Sequence, residues 1–166
     1  MVEAVIGLGS NLGDRLAHLQ KGITGLASCC KVVAVSSVFE TQPVGPSQPA
    51  YLNAAAIVET EMSPAQLMEH CLAIEQEAGR QRLEKWGPRT LDLDVLDIDG
   101  VTSSDPFVVV PHPYSHQRGF VLIPWAHIRP QWMHSAVNES VGELASRIDV
   151  MAEGINRRDD LALTIS

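Results

Sequence analysis

The stretch Trp86-Gly87-Pro88-Arg89-Thr90-Leu91-Asp92-Leu93-Asp94-Val95-Leu96 decides the reading of the fold. A Gly-Pro turn carrying an arginine leads into a run in which apolar residues alternate with two aspartates. Side chains alternate faces along a strand, so Leu91, Leu93 and Val95 point one way and Asp92 and Asp94 the other. Residues two apart are separated by roughly 6.6–6.8 Å at Cα, so both carboxylates face one small volume. Two ionised carboxylates that close repel unless a cation lies between them. Mg²⁺ suits the pair, because it is held by one or two carboxylates together with water and substrate phosphates. The plainer reading of the pair alone is a solvated acidic face; the rest of the chain decides between the two.

Just upstream, Arg80, Arg82, Lys85 and Arg89 fall within ten positions. The chain as a whole carries a formal charge of −8, which argues against a broad nucleic-acid surface and makes the cluster a local anion site. With 166 residues, 45% hydrophobic and 19% charged, the expectation is a single domain over 1–166 with a sizeable core. Three cysteines, Cys29, Cys30 and Cys71, with no C-x-x-C, indicate neither a disulfide framework nor a zinc site. The start lacks a basic segment followed by an apolar one, and no apolar run is long enough to span a bilayer, so a cytoplasmic protein without membrane contact is expected.

Ala4 to Leu8 reads as a strand, and Asp14 caps a helix whose face is Leu16, Leu19, Ile23 and Leu26. Val32 to Phe39 is a second strand, followed by a proline-rich loop from Gln42 to Pro49. Tyr51 to Glu59 is a third strand. Ser63-Pro64 caps a second helix marked by Leu67, Cys71, Ile74 and Ala78 and stopped at Gly79. The aspartate strand follows, with Asp99-Gly100 as a hairpin signal that returns through Val108, Val109 and Val110. Phe120 to Ile128 is apolar, one helix lies near Val141 to Ile148, and 150–166 reads as a weakly structured tail. The order β-α-β-β-α-β predicts an α+β fold with a ferredoxin-like split βαβ core and extra C-terminal elements.

Several motifs mislead. Gly7-Leu8-Gly9-Ser10-Asn11-Leu12-Gly13 resembles a dinucleotide fingerprint, but its third glycine is displaced and the next connection is a proline loop. Arg118-Gly119-Phe120 opens like an RNA-binding signature and then fails at Val121. With Gly100 at position six of a calcium loop, Val95 and Pro106 stand where acids are needed. No Walker-type phosphate loop is present. His112 and His116 have helical metal-ligand spacing, but Pro111 and Pro113 forbid a helix. Tyr51 and Asn53 share one strand face, where a ring beside an amide suits a flat heterocycle that is stacked and read along its edge. A carboxylate pair, clustered cations and an aromatic-amide site are the parts needed for phosphoryl transfer.

Gly9-Ser10-Asn11-Leu12, Tyr51-Leu52-Asn53-Ala54, Trp86 to Asp94, and Pro111-His112-Pro113 followed by Arg118-Gly119-Phe120 are specific enough to name a family. The chain resembles the 6-hydroxymethyl-7,8-dihydropterin pyrophosphokinases of folate biosynthesis over residues 4–130. The resemblance implies transfer of pyrophosphate from ATP to a pterin alcohol with release of AMP. It implies that Asp92 and Asp94 hold two Mg²⁺ ions, and that Tyr51 and Phe120 sandwich the pterin. Asn53, with the segment around Thr41, Pro43 and Val44, would read the pterin edge. Glu75, Arg80, Arg82, Trp86, Arg89, His112 and Arg118 would serve the nucleotide, with Arg80 and Arg89 acting in catalysis. ATP and the pterin alcohol are then the small-molecule partners, with no nucleic acid and no membrane, and a monomer is expected. Gln42 stands where the family commonly has proline, Tyr114 stands where a basic residue is common, and the Arg80–Trp86 segment reads one residue short.

Overall fold

A computed structural model describes residues 1–42, 49–79 and 90–165. The first strand, β1 (Val2–Ser10), forms the middle of an antiparallel sheet. Helix α1 (Arg15–Cys29) follows, with the Asp14 carboxylate accepting from Ala17 N–H at 3.1 Å as expected of an N-cap. Then come β2 (Lys31–Val35), β3 (Phe39–Thr41) and β4 (Tyr51–Thr60). Helix α2 (Pro64–Glu77) opens on a capping box between Ser63 and Gln66. It leads to β5 (Asp92–Ile98) and helix α3 (Gly119–Ile128). The short strands β6 (Met133–His134) and β7 (Glu139–Ser140), helix α4 (Val141–Ser146) and strand β8 (Ile155–Arg157) complete the chain.

The sheet order is β5-β1-β4-β3-β8, with β2 also paired to β4 and every pairing antiparallel. The period of two sorts its residues onto two cores. Ala4, Ile6, Leu8, Leu52, Leu93 and Val95 face α1 and α2 through Leu19, Ile23, Leu26, Leu67 and Cys71. Val5, Ala55, Ile57 and Leu96 face α3 and α4 through Leu122, Trp125, Val141 and Leu144. Toward the other end of this second face the apolar residues give way to Gly7, Gly9, Asn53, Asp92 and Asp94. That change of chemistry along one sheet face positions the site.

Three expectations change on meeting the fold. The strand read as Val32 to Phe39 is broken: Ser36 Oγ accepts from the Ala55 N–H at 2.9 Å, and Ser36 N–H donates to the Ala55 carbonyl at 2.9 Å. A side chain thus takes one rung of the ladder to β4, at the join of β2 and β3. The hairpin at Asp99-Gly100 forms its turn, with Gly100 at φ 69°, but returns only through the isolated bridges Ile98–Val101 and Ser103–Val110. The weakly structured tail is the third correction. Ile155 is buried, β8 pairs with β3, and Arg158 reaches Glu40. A three-residue edge strand carries too little periodicity to be read from sequence.

Candidate active site

The two aspartates stand opposite glycines. In the ladder Asp92 pairs with Gly9, and Asp94 with Gly7. On the far side of β1, Gly9 pairs with Asn53 and Gly7 with Ala55. Paired residues share a face, so Asp92, Gly9 and Asn53 form one row across three strands. A Cβ placed on Gly9 would lie 3.1 Å from Asn53 Oδ1 and 3.5 Å from the Tyr51 ring. Glycine leaves those two side chains their room over β1, and a Cβ would press Asn53 Oδ1 back by a few tenths of an ångström.

Asn53 continues the row onto β3. Its Nδ2 donates to Thr41 Oγ1 at 2.6 Å, and Thr41 pairs directly with Tyr51. Asn53 and Thr41 are both buried. The amide therefore has its orientation fixed from one side, with Oδ1 directed over Gly9. Thr41, Tyr51 and Asn53, singled out for one ligand, thus occupy adjacent strands on the face that carries the aspartates.

The aspartate strand is anchored from α2. Glu75 is 3% exposed, and its Oε2 accepts the Leu93 backbone N–H at 2.7 Å. Leu93 lies between Asp92 and Asp94, so this bond fixes the segment that aims both carboxylates. The family resemblance implies a nucleotide role for Glu75; this contact is with the strand beneath it.

His112 borders the same strand, donating its backbone N–H to the Leu96 carbonyl at 2.8 Å. Its Nδ1 accepts the Tyr114 N–H at 3.4 Å, so the neutral ring carries its hydrogen on Nε2. Burial pushes the His112 pKa below its ordinary 6.5, the Arg118 charge pushes it further down, and Asp92 opposes them. The ring is thereby favoured in its neutral form, as a donor beside the Arg118 guanidinium. The Arg118 guanidinium lies over two rings, 5.0 Å from the Tyr114 centroid and 5.7 Å from that of Phe120. Tyr114, which departs from the family's usual basic residue, here supports a cation instead of adding one.

Pro43, Val44, Arg80, Arg82, Trp86 and Arg89 lie outside the described residues. The flanks of the first of these segments are tied down. Arg15 donates to Glu40 Oε2 at 2.8 Å and to the Ala50 carbonyl at 2.9 Å, and Asn11 Nδ2 donates to the Pro49 carbonyl at 3.2 Å. Sequence reasoning missed this clasp, and missed Gly7 and Gly9 as the flat floor of the site. The glycine motif signalled a turn; only the register reveals what stands on either side of it.

A family model described as 7,8-dihydro-6-hydroxymethylpterin-pyrophosphokinase (HPPK) matches residues 5–130. A protein of Methylorubrum extorquens named 2-amino-4-hydroxy-6-hydroxymethyldihydropteridine pyrophosphokinase is 41% identical over 160 residues, covering 95% of this chain and 99% of that protein. Its namesake in Synechocystis sp. is 40% identical over 151 residues, 90% of this chain and 77% of the other. Among solved structures, an HPPK-DHPS in complex with substrates superposes with a TM-score of 0.74 at 13% identity, over 95% of this chain and 48% of that one. Wild-type Plasmodium falciparum HPPK-DHPS with pterin and p-hydroxybenzoate gives 0.71 at 14% identity, over 94% and 45%. These structures share the fold, and the chain spans about half their length.

Proposed function

The chain belongs to the 7,8-dihydro-6-hydroxymethylpterin-pyrophosphokinase family and transfers pyrophosphate to hydroxymethyldihydropterin in folate biosynthesis, and we propose that ATP is the donor, that Asp92 and Asp94 hold Mg²⁺ for it, and that AMP is released. The observation that carries this reading is the row Asp92–Gly9–Asn53, which sets a carboxylate and a heterocycle-reading amide on opposite sides of a glycine. The carboxylate oxygens are hard donors on a shared face, as Mg²⁺ requires. Two bound ions would neutralise the phosphates and polarise the attacked phosphorus.

Asn53 and Thr41, with Pro43 and Val44, read the pterin edge, while Tyr51 and Phe120 cover its faces. Asp92 and Asp94 fix where the phosphates end, so the hydroxymethyl oxygen faces the β-phosphorus with AMP leaving on the far side. Arg118 and the neutral Nε2–H of His112 hold phosphate or ribose oxygens. Arg80, Arg82, Trp86 and Arg89 grip the nucleotide, with Arg80 and Arg89 stabilising charge as the bond breaks, and Glu75 serves the nucleotide side through β5.

The fold we read as ferredoxin-like, split βαβ with extra C-terminal elements. The strand order, with α1 and α2 on one face, supports it. We take the chain as a single domain acting as a cytoplasmic monomer on small molecules; no helix among the described residues is long and apolar enough to cross a membrane. The test is to mix the protein with MgATP and the pterin alcohol. AMP is expected; ADP would indicate an ordinary kinase, and the absence of any nucleotide product a ligand-binding module.

A further inference from the structure

Beyond the segment matched by the family model lies a buried titratable group that the proposed reaction does not touch. His134, on β6, is 0% exposed. Its ring packs against Trp125 at 5.7 Å and His116 at 5.5 Å between centroids. The Ala136 backbone N–H donates to His134 Nδ1 at 3.2 Å. A neutral ring so placed carries its hydrogen on Nε2, which lies 2.7 Å from Ser115 Oγ. The Ser115 hydroxyl accepts there and gives its own hydrogen to the His112 carbonyl at 2.8 Å. The opposite direction would require a hydrogen on Nδ1, facing the Ala136 N–H donor to donor. The same His112 carbonyl also receives the Ser115 backbone N–H at 3.1 Å.

We propose that His134 and Ser115 are positioning residues for His112: a one-way chain of hydrogen bonds from Ala136 through His134 and Ser115 locks the 112–115 turn, and with it the tautomer and aim of the His112 ring. The lock closes on the ring itself, because the Tyr114 N–H that holds His112 Nδ1 belongs to the same turn. His112 is also bonded to β5 through Leu96, so the turn is tied to the aspartate strand. Burial, and the neighbouring His116, push the His134 pKa down to about 4, which keeps the chain neutral and directed at ordinary pH. The functional part of the proposal rests on the reading of His112 as a nucleotide contact.

His134→Phe keeps an aromatic ring but has no donor, Ser115→Ala removes the bridge, and His134→Gln returns an amide donor to Ser115. Steady-state kinetics and the ¹⁵N signals of the His112 ring are read on each full-length variant. His134→Phe and Ser115→Ala are expected to raise KM for ATP about five- to tenfold, with the double variant no worse than either single one. KM for the pterin stays within about twofold, the Gln variant recovers part of the loss, and the His112 ring shifts from one tautomer to a mixture. Unchanged His112 signals and KM beside a lowered melting temperature would overturn the proposal and leave His134 as packing. His112→Ala is the reference. If it leaves KM for ATP unaltered while His134→Phe still perturbs the His112 signals, positioning stands and the nucleotide reading of His112 fails.

Discussion

Gly9 contributes to the site by what it lacks. A Cβ there would press on Asn53 Oδ1 and touch the Tyr51 ring, in the row that runs from Asp92 to Asn53. The aspartates in turn owe their aim to a bond made on the opposite side of their strand, from Glu75 to Leu93. Asp92→Asn or Asp94→Asn should therefore lower turnover by more than about tenfold, ~1.4 kcal/mol. The urea midpoint should hold, because Leu91, Leu93 and Val95 keep their burial. Activity assays beside equilibrium unfolding check this; a variant with turnover within that limit would remove its aspartate from the metal site. At this scale much was legible. The alternation alone put Asp92 with Asp94 and Tyr51 with Asn53; that the two pairs share a sheet face follows only from the register through Gly9. Glu75 came only with the family resemblance, and its contact was not legible, since Leu93 lies eighteen positions away and no local pattern announces a side chain bonding a distant backbone group.

Elements were legible where they were long and capped. Asp14 and Ser63 mark their helices, and Gly79, at φ 84°, stops the second one. The break between β2 and β3 was not, because Ser36 mimics a backbone group within a valine-rich run that reads as one strand. Ser36→Ala would leave the buried Ala55 N–H without its acceptor and should destabilise the protein by about 1–3 kcal/mol. Urea unfolding measures that loss, and a midpoint equal to that of the parent would mean that water takes over the bond. The apolar run from Phe120 gave no sign of its class. It forms α3 with Pro124 inside, a helix apolar enough to be buried along most of its length.

Across the whole molecule the sheet divides labour between its faces, and the helical layer built from α3, α4 and the β6–β7 hairpin carries a group sensitive to acid, His134. In the unfolded chain His134 takes up its proton near 6.5, whereas the buried ring resists until about 4. Between those values the unfolded state binds more protons, so stability rises with pH through the window and is lost as pH falls through it. The loss should approach the order of 3 kcal/mol by pH 4. Unfolding midpoints taken at pH 7, 5 and 4 should show it, with His134→Phe giving a flatter profile; equal slopes would mean that the ring is protonated without cost.

The last strand bears on how copies of this protein behave toward one another. β8 is three residues long, yet it occupies the hydrogen-bonding edge of β3, with Arg158 fastened to Glu40 beside it. Stripped of that cover, Phe39–Thr41 would offer unpaired N–H and C=O groups to any extended chain that drifted past, the template on which sheets grow between molecules. In the folded chain β8 takes up those groups, so the segment that reads as a loose end closes that edge of β3 to a stranger.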